Sequence, residues 1–314
     1  MNSINAPFQK HFLESIGRPL RLAIPLKDHA SFRIGGNADY YFEADSPSDL
    51  IKALTLVRDA GVPGFVIGGG FNILFDDLGF RGMIIKNCSI GLEQIGSNKL
   101  VVDSGTPLKK LLELCAREGL QGLEFLAGIP GTLGGAVYGN AGAFGDCIGF
   151  HLKEVGLLNR DGQEISVPAE SLEFGYRNSL LKRSGDILIK GIFELQSGDP
   201  DRIQSEIDRI ILQRGKKHPP STVACAGSYF KNPYPPSDQN QAAAVYLEKI
   251  GAKAIRIGQA AVSPVHANFI INEGGATAVD VLDLAAQLKA RVKERFDVEL
   301  EEEVIFLPEV PSKV

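Results

Sequence analysis

The stretch from Gly128 to Gly145, GIPGTLGGAVYGNAGAFG, has seven glycines among its 18 residues. No lysine follows these glycines as it would in a P-loop, and a GxGxxG fingerprint with an acid about 20 residues further on is also missing. Because glycine has no Cβ atom, backbone N–H groups in this stretch can approach an anion closely and could bind a diphosphate. A tightly packed turn without a ligand is the alternative interpretation.

Two shorter glycine clusters precede this stretch. Gly68, Gly69 and Gly70 follow a predicted strand, and Asn72 adds an amide, as in a loop that binds phosphate through backbone N–H groups. Arg33 comes before a glycine pair in the segment SFRIGG and adds a cation. One glycine loop in each of two lobes predicts a dinucleotide held between the lobes.

The segments around the loops predict a fold of the α+β class. Ser46 and Pro47 are an N-cap and a first helical residue, so a helix to about residue 60 is expected between strands at 40–44 and 64–67. An amphipathic helix over 107–118 and a hairpin around Asp161-Gly162 follow. Antiparallel pairing in the middle of the chain favours two small α+β lobes over one long parallel sheet.

The pattern breaks at Ser197-Gly198-Asp199-Pro200, and a new helix begins after it. We therefore predict a first lobe over residues 1–89, a second lobe over 90–202 and a third domain over 203–297. The final strand is expected to return to an earlier lobe, and we assign the segment 298–314 to the second lobe.

Composition narrows the class of protein. The formal charge of −5 argues against broad binding to nucleic acid or anionic membranes. The N-terminal residues lack the pattern of a signal peptide, and no run of about 18 apolar residues occurs, so a cytoplasmic location is expected. No CxxC spacing is present, and neither a metal site nor a disulfide framework is predicted. The four cysteines are Cys88, Cys115, Cys147 and Cys225.

Seven segments between about residue 29 and residue 304 carry a family resemblance. They are SFRIGG, IGGGFN, GIPGTLGGAVYGNAG, FGYRNS, AGSYFKNP, HANFIIN and LEEEV. In this order they resemble the UDP-N-acetylenolpyruvoylglucosamine reductase family, in its more compact subclass. The resemblance implies two FAD-binding lobes of the vanillyl-alcohol-oxidase type and a C-terminal α+β substrate-binding domain. It also implies noncovalent FAD, NADPH as co-substrate, and reduction of UDP-N-acetylglucosamine enolpyruvate to UDP-N-acetylmuramate in peptidoglycan precursor synthesis, with no obligate protein partner.

The resemblance assigns three catalytic residues: Ser228 as proton donor, Arg177 as the catalytic arginine and Glu303 as the catalytic glutamate. The assignment makes physical sense, because the substrate double bond is conjugated to a carboxylate that is a poor hydride acceptor. Arg177 would supply a cation to this carboxylate, and a protonated Glu303 would also help to stabilise its charge. Once hydride has arrived at C3, the Ser228 hydroxyl would deliver a proton to C2.

Further residues are expected to contact the cofactor or the substrate. The FAD contacts are Arg33, Gly68, Gly69, Gly70, Asn72, Gly128, Pro130, Gly131, Gly134, Gly135, Asn140 and Gly142. The substrate contacts are Tyr176, Lys217, Asn232 and Asn268, with Lys217 and Asn232 near the diphosphate.

Two positions depart from the family pattern. Phe71 stands where serine is usual in the flavin loop, and Ile305 stands where arginine is common. Two other functions stay open at this point. One is another FAD-dependent oxidoreductase of the same superfamily, although an oxidase does not need to protonate an enol. The other is a nucleotide-sugar-binding protein without redox chemistry, which only Phe71 favours.

Overall fold

A computed structural model describes residues 5–233 and 241–310. The α-helices are α1 Asn5–Ile16, α2 Pro47–Asp59, α3 Leu108–Glu118, α4 Leu133–Tyr138, α5 Leu181–Ser184, α6 Pro200–Lys217, α7 Ala243–Lys249 and α8 Ala278–Phe296. The strands are β1 Arg21–Pro25, β2 Asn37–Ala44, β3 Gly64–Ile67, β4 Ile73–Phe75, β5 Phe80–Asn87, β6 Leu92–Ile95, β7 Lys99–Asp103, β8 Leu120–Gln121, β9 Gly142–Ala143, β10 Asp146–Cys147, β11 Leu152–Leu158, β12 Glu164–Pro168, β13 Ile187–Glu194, β14 Gln196–Ser197, β15 Ala224–Cys225, β16 Arg256–Ile257, β17 Ala260–Val262, β18 Ile270–Asn272 and β19 Ile305–Leu307. Within these residues no helix is both long and apolar enough to cross a bilayer.

The first lobe is built on a four-stranded sheet in the order β1-β2-β5-β3. Strands β2 and β3 both pair in parallel with β5, with α2 in the connection between β2 and β3. The Ser46 hydroxyl accepts a hydrogen bond from the N–H of Asp49 at 3.1 Å, which confirms the predicted helix start. Helix α1 was not predicted, because only Phe8 and Phe12 of its described side chains are buried.

The second lobe is an antiparallel five-stranded sheet in the order β12-β11-β13-β7-β6. The predicted hairpin is present: β11 and β12 pair, and Gly162 has a φ of 79° in the turn. Helix α3 packs on this lobe through buried side chains that include Leu111 and Cys115. The α+β class and the antiparallel middle of the chain are thus confirmed.

The C-terminal domain contains the small antiparallel sheet β15-β18-β17-β16 together with α7 and α8. Its hydrophobic core continues into the first lobe, because Phe32, Ile34 and Leu74 are buried in the same cluster. The carboxylate of Asp77, also from the first lobe, accepts the N–H of Ala278 at 2.8 Å where α8 begins. The first lobe and the C-terminal domain therefore share both apolar and polar contacts.

Two of the predicted domain assignments differ from the structure. Helix α6 buries Ile203, Ile207 and Ile210 in the core of the second lobe, so a boundary after residue 202 separates this helix from the lobe it packs on. Strand β19 pairs in parallel with β4 of the first lobe, whereas we had assigned 298–314 to the second. Apolar spacing shows that an element buries a face but not which partner covers it. Residues 311–314 lie outside the described residues.

Candidate active site

Ser228 lies in the segment that follows β15. Gly227 before it has a φ of 75°, and Tyr229 and Phe230 after it are buried, which fixes the segment on both sides. The Ser228 side chain is half-buried, and its hydroxyl makes no hydrogen bond to any described residue. This hydroxyl is therefore available to a ligand.

Backbone pairing brings Glu303 to the Ser228 segment. The N–H of Glu303 donates to the carbonyl of Tyr229 at 2.8 Å, and Phe230 forms an antiparallel bridge with Glu302. The side-chain amide of Asn72 donates to the carbonyl of Glu303 at 3.0 Å. The loop predicted to hold flavin and the predicted catalytic glutamate are thus directly connected.

Arg177 and Glu303 form a close ion pair. Their Nε and Oε1 atoms are 2.8 Å apart, and the side chains are only 24% and 21% exposed. The Nε–H of Arg177 does not point at an acceptor in hydrogen-bonding geometry, so this is a contact between charges rather than an aligned hydrogen bond. Burial raises the pKa of Glu303, while Arg177, Lys182 and Lys231 oppose the rise. The cation and the carboxyl predicted to act together are in contact.

Arg177 sits in a tight turn, residues 175–178, which we call the catalytic turn. Gly175 and Asn178 exchange two backbone hydrogen bonds of 3.0 and 3.2 Å, and Arg177 has a φ of 52°. A positive φ is uncommon for a residue with a side chain and is typical of functional sites. The side-chain amide of Asn140 donates to the carbonyl of Gly175 at 2.8 Å and ties the turn to the long glycine stretch.

The four predicted substrate residues lie in three different environments. The Tyr176 hydroxyl accepts the N–H of Asn232 at 3.1 Å, and Arg177 lies over the Tyr176 ring at 5.3 Å, so these residues line the same region. Lys217 is exposed at the end of α6. Asn268 is buried, and its amide is hydrogen-bonded to both the N–H and the carbonyl of Phe230. For Asn268 this geometry favours positioning of the Ser228 segment over the predicted contact with substrate.

The first glycine loop, residues 68–72, leaves hydrogen-bond donors free. The backbone N–H groups of Gly69, Gly70 and Phe71 have no acceptor within the described part of the chain. Gly70 has a φ of 69°, and a Cβ there would collide with the carbonyl of His29. At Gly69 a Cβ would collide only with the Phe71 ring, which is 40% exposed. The loop therefore has the free donors that an anionic ligand needs.

The second glycine loop, residues 128–145, binds many of its own donors. The N–H of Gly134 donates to the carbonyl of Ser104 at 2.7 Å, and the N–H of Gly135 points to the Thr132 hydroxyl at 3.4 Å. The open positions are Gly131 and Gly145, where a Cβ would meet nothing within 4 Å. The predicted diphosphate donors of this loop are thus not available at Gly134.

The remaining predicted FAD residues lie around the two loops. Pro130 is exposed beside Gly131, and Gly142 is paired with Cys147 in a short hairpin. Gly68 packs against Thr132, so the two glycine loops touch. Arg33 is exposed, with a φ of 55° and a guanidinium contact of 3.4 Å to the carbonyl of Thr222.

Two cations near the site were missed from the sequence. Lys182 donates from Nζ to the carbonyl of Arg177 at 2.7 Å. The Arg214 side chain lies across Gly128, and its buried Nε has no acceptor among the described residues. Burial, and secondly the charge of Arg177, lowers the pKa of Arg214. Neither residue has a spacing signal in the sequence, because single basic residues on helices are usually solvated.

These features fit an anionic dinucleotide such as FAD. Free N–H groups at Gly69 and Gly70 match a pyrophosphate, and a Cβ at either glycine would be obstructed. The Arg214 guanidinium, whose Nε has no acceptor among the described residues, offers a cation to the same ligand or to an anionic substrate.

Two family models match the sequence. A model described as UDP-N-acetylenolpyruvoylglucosamine reductase, C-terminal domain, matches residues 218–307, and an FAD binding domain matches residues 38–167. The first match begins immediately after α6.

Relatives cover nearly the whole chain. A UDP-N-acetylenolpyruvoylglucosamine reductase from Geobacter sulfurreducens is 41% identical over 281 residues, 89% of this chain and 91% of that protein. One from Clostridium tetani is 36% identical over 284 residues, 90% of this chain and 91% of that protein. The crystal structure of the reductase from Thermus caldophilus has a TM-score of 0.77 and 32% identity, covering 92% of this chain and all of that one. By sequence and by fold, the chain belongs to the UDP-N-acetylenolpyruvoylglucosamine reductase family.

Proposed function

We propose that the protein reduces UDP-N-acetylglucosamine enolpyruvate to UDP-N-acetylmuramate with NADPH, in cytoplasmic peptidoglycan precursor synthesis. The observation that carries this proposal is the convergence of three distant segments. Glu303 contacts Arg177 at 2.8 Å and is hydrogen-bonded to the residue that follows Ser228. Such a group of cation, carboxyl and free hydroxyl fits a substrate that must accept a hydride and then a proton.

FAD, held noncovalently, supplies the hydride chemistry that links NADPH to the substrate. The residues that would hold its pyrophosphate are Gly69, Gly70 and Phe71, through their free N–H groups. Asn72, which we predicted as a cofactor contact, connects this loop to Glu303 through its side-chain amide. The loop that would hold the cofactor is therefore hydrogen-bonded to the backbone of Glu303.

Arg177 and Glu303 prepare the substrate for hydride addition at C3. The substrate carboxylate carries a negative charge that opposes hydride arrival, and this charge increases as the bond forms. The Arg177 guanidinium stabilises the carboxylate, and partial burial strengthens this interaction. A Glu303 carboxyl with a raised pKa can hold a proton and donate a hydrogen bond to the same oxygens.

Ser228 completes the reaction by protonating C2. Hydride addition at C3 leaves an electron pair that is delocalised over C2 and the carboxylate. The Ser228 O–H gives its proton to C2, the C2–H bond forms, and the serine regains a proton from solvent. No described residue competes for this hydroxyl, so its proton can be directed at the substrate.

NADPH and the sugar nucleotide should use the same cleft in turn, because the sequence has no separate dinucleotide fingerprint. Steady-state kinetics should be ping-pong, with substrate inhibition at high concentration. A stable ternary complex that holds both ligands would contradict this expectation.

Stopped-flow absorbance of the flavin tests the proposal by separating the two half-reactions. Ser228→Ala should be reduced by NADPH at a near wild-type rate and be reoxidised by the enolpyruvyl substrate about 10²–10⁴-fold more slowly. The loss should lie in kcat more than in KM. Ser221→Ala, at an exposed serine just before β15, is the control. Slow reduction by NADPH with normal reoxidation would contradict the role of Ser228.

A spectrum of the purified protein separates the alternative functions. A yellow protein that is bleached by NADPH and recovers its colour only with the enolpyruvyl substrate supports the proposal. A colourless protein would favour nucleotide-sugar binding without redox chemistry. Recovery with a different acceptor, and not with the enolpyruvyl substrate, would indicate another oxidoreductase of the superfamily.

A further inference from the structure

The conformation of Arg177 needs support beyond its own turn. Its φ of 52° lies in the left-handed region, which residues with side chains rarely adopt. The two backbone hydrogen bonds of the turn join Gly175 and Asn178 and leave the Arg177 carbonyl outside the pairing. Another group must therefore fix the peptide that follows Arg177.

Lys182 is positioned to do this. It lies on the short helix α5, is half-buried, and donates from Nζ to the Arg177 carbonyl at 2.7 Å. The same Nζ is 5.6 Å from the centre of the Tyr138 ring, at the end of α4. The Ser179 hydroxyl donates to the Tyr138 carbonyl at 2.8 Å, so the residues that follow the catalytic turn contact Tyr138 twice.

We propose that Lys182 is a positioning residue that holds Arg177 in its left-handed conformation and keeps its guanidinium against Glu303. The proposal rests on the proposed function for the role of Arg177, but the positioning itself depends only on the contacts above. A charged donor is stronger than a neutral one at a carbonyl, which explains why lysine serves here.

Three charged side chains surround the Lys182 ammonium. They belong to Arg177, Glu303 and Lys231, and all lie close enough to affect its titration. Burial, followed by the charge of Lys231, lowers the pKa of Lys182, whereas Glu303 raises it. In return, the Lys182 ammonium lowers the pKa of Glu303. Removing this ammonium should therefore raise the pKa of Glu303. The part of the pH–rate profile that this pKa sets should move to higher pH.

The test compares Lys182→Met and Lys182→Arg in the holoenzyme. Methionine keeps the apolar stem and removes the donor, so the Kd for UDP-N-acetylglucosamine enolpyruvate should rise and kcat for its reduction should fall, each by about 10- to 100-fold. Flavin reduction by NADPH should stay near the wild-type rate. Arginine should restore most of the loss. Arg183→Met removes a charge from the same helix, where the side chain is exposed and pairs with Glu173, and should behave as wild type.

A crystal structure of the Lys182→Met holoenzyme distinguishes this proposal from the proposed function. We expect Arg177 to leave its positive φ or its contact with Glu303. An unchanged Arg177, or wild-type affinity and pH profile in Lys182→Met, would overturn the positioning role while the proposed function stands. If wild-type enzyme does not reduce the enolpyruvyl substrate, the proposed function fails, and the Arg177 geometry in the variant still decides the role of Lys182.

Discussion

The two glycine loops place similar residues in different hydrogen-bonding environments. In the first loop, residues 68–72, the N–H groups of Gly69 and Gly70 meet no acceptor in the described chain. In the second loop, residues 128–145, the N–H of Gly134 is bonded to Ser104, and the side chain of Asn140 is bonded to the catalytic turn. The first loop therefore keeps donors free for a ligand, whereas Asn140 of the second loop holds the turn that carries Arg177.

This difference shows what glycine does in each loop. Near Gly70 the backbone of His29 comes so close that no side chain fits. Near Gly134 it is the end of β7 that comes close, with the Ser104 carbonyl 3.1 Å from the position of a Cβ. Both loops need glycine because another backbone segment lies close to them. Only the first loop leaves backbone N–H donors free for a ligand. Glycine content alone does not distinguish these cases.

Replacement of one glycine in each loop gives the largest expected effect. Gly69→Val and Gly134→Val should both yield colourless protein, but for different reasons. Valine at residue 69 displaces the exposed Phe71 ring toward the space where FAD would bind. The free energy of unfolding should change by less than about 0.5 kcal/mol. Valine at residue 134 overpacks the Ser104 backbone and should cost about 1–3 kcal/mol. Flavin absorbance after desalting and urea unfolding measure the two effects. Full flavin occupancy in both variants would refute the placement of FAD at these loops.

Asn140→Gly tests the supporting role of the second loop. Glycine tolerates the φ of 44° at this position, but it removes the bonds to Gly175 and to the N–H of Gly149. Each buried group left without a partner costs about 1–3 kcal/mol. We expect kcat for the enolpyruvyl substrate to fall about 10- to 100-fold, with FAD largely retained. Loss of FAD with normal kcat in the loaded fraction would instead make Asn140 a cofactor residue.

A smaller effect is expected on the stability of the protein in acid. Burial, with the charges of Arg214, His266 and Lys217, lowers the pKa of His218 to about 4. The folded protein binds this proton less readily than the unfolded chain, so stability is complete above about pH 6.5 and is lost as the pH falls toward 4. In His218→Gln, the free energy of unfolding that is lost between pH 7 and pH 4.5 should be smaller by about 1–3 kcal/mol. Urea unfolding at pH 7, 5.5 and 4.5 measures it, and an unchanged slope would exclude His218 as its source.

Gly135→Ala should have the smallest effect. Gly135 is exposed on α4, its φ is ordinary for a residue with a side chain, and a Cβ there would come no closer than 3.8 Å to the Thr132 hydroxyl. Alanine should raise the free energy of unfolding by about 0.5 kcal/mol and leave FAD bound. Loss of FAD would show that the cofactor contacts this face of the second loop, as expected from the sequence, and would weaken the contrast between the loops.

The sequence determined the local elements and supplied the candidate catalytic residues. The cap at Ser46, the strand Gly64–Ile67 and the hairpin at Gly162 follow from residue types within a few positions, because capping, alternation and positive φ are local properties. Ser228, Arg177 and Glu303 were identified by resemblance, and the structure brings Arg177 and Glu303 into contact.

The tertiary structure alone decided the partners. It placed α6 in the core of the second lobe, paired β19 with β4, and set Lys182 against the Arg177 carbonyl. It also decided which glycine N–H groups stay free. These outcomes depend on which distant backbone or apolar face packs against a segment in the folded chain. Residue spacing along the sequence does not identify that partner.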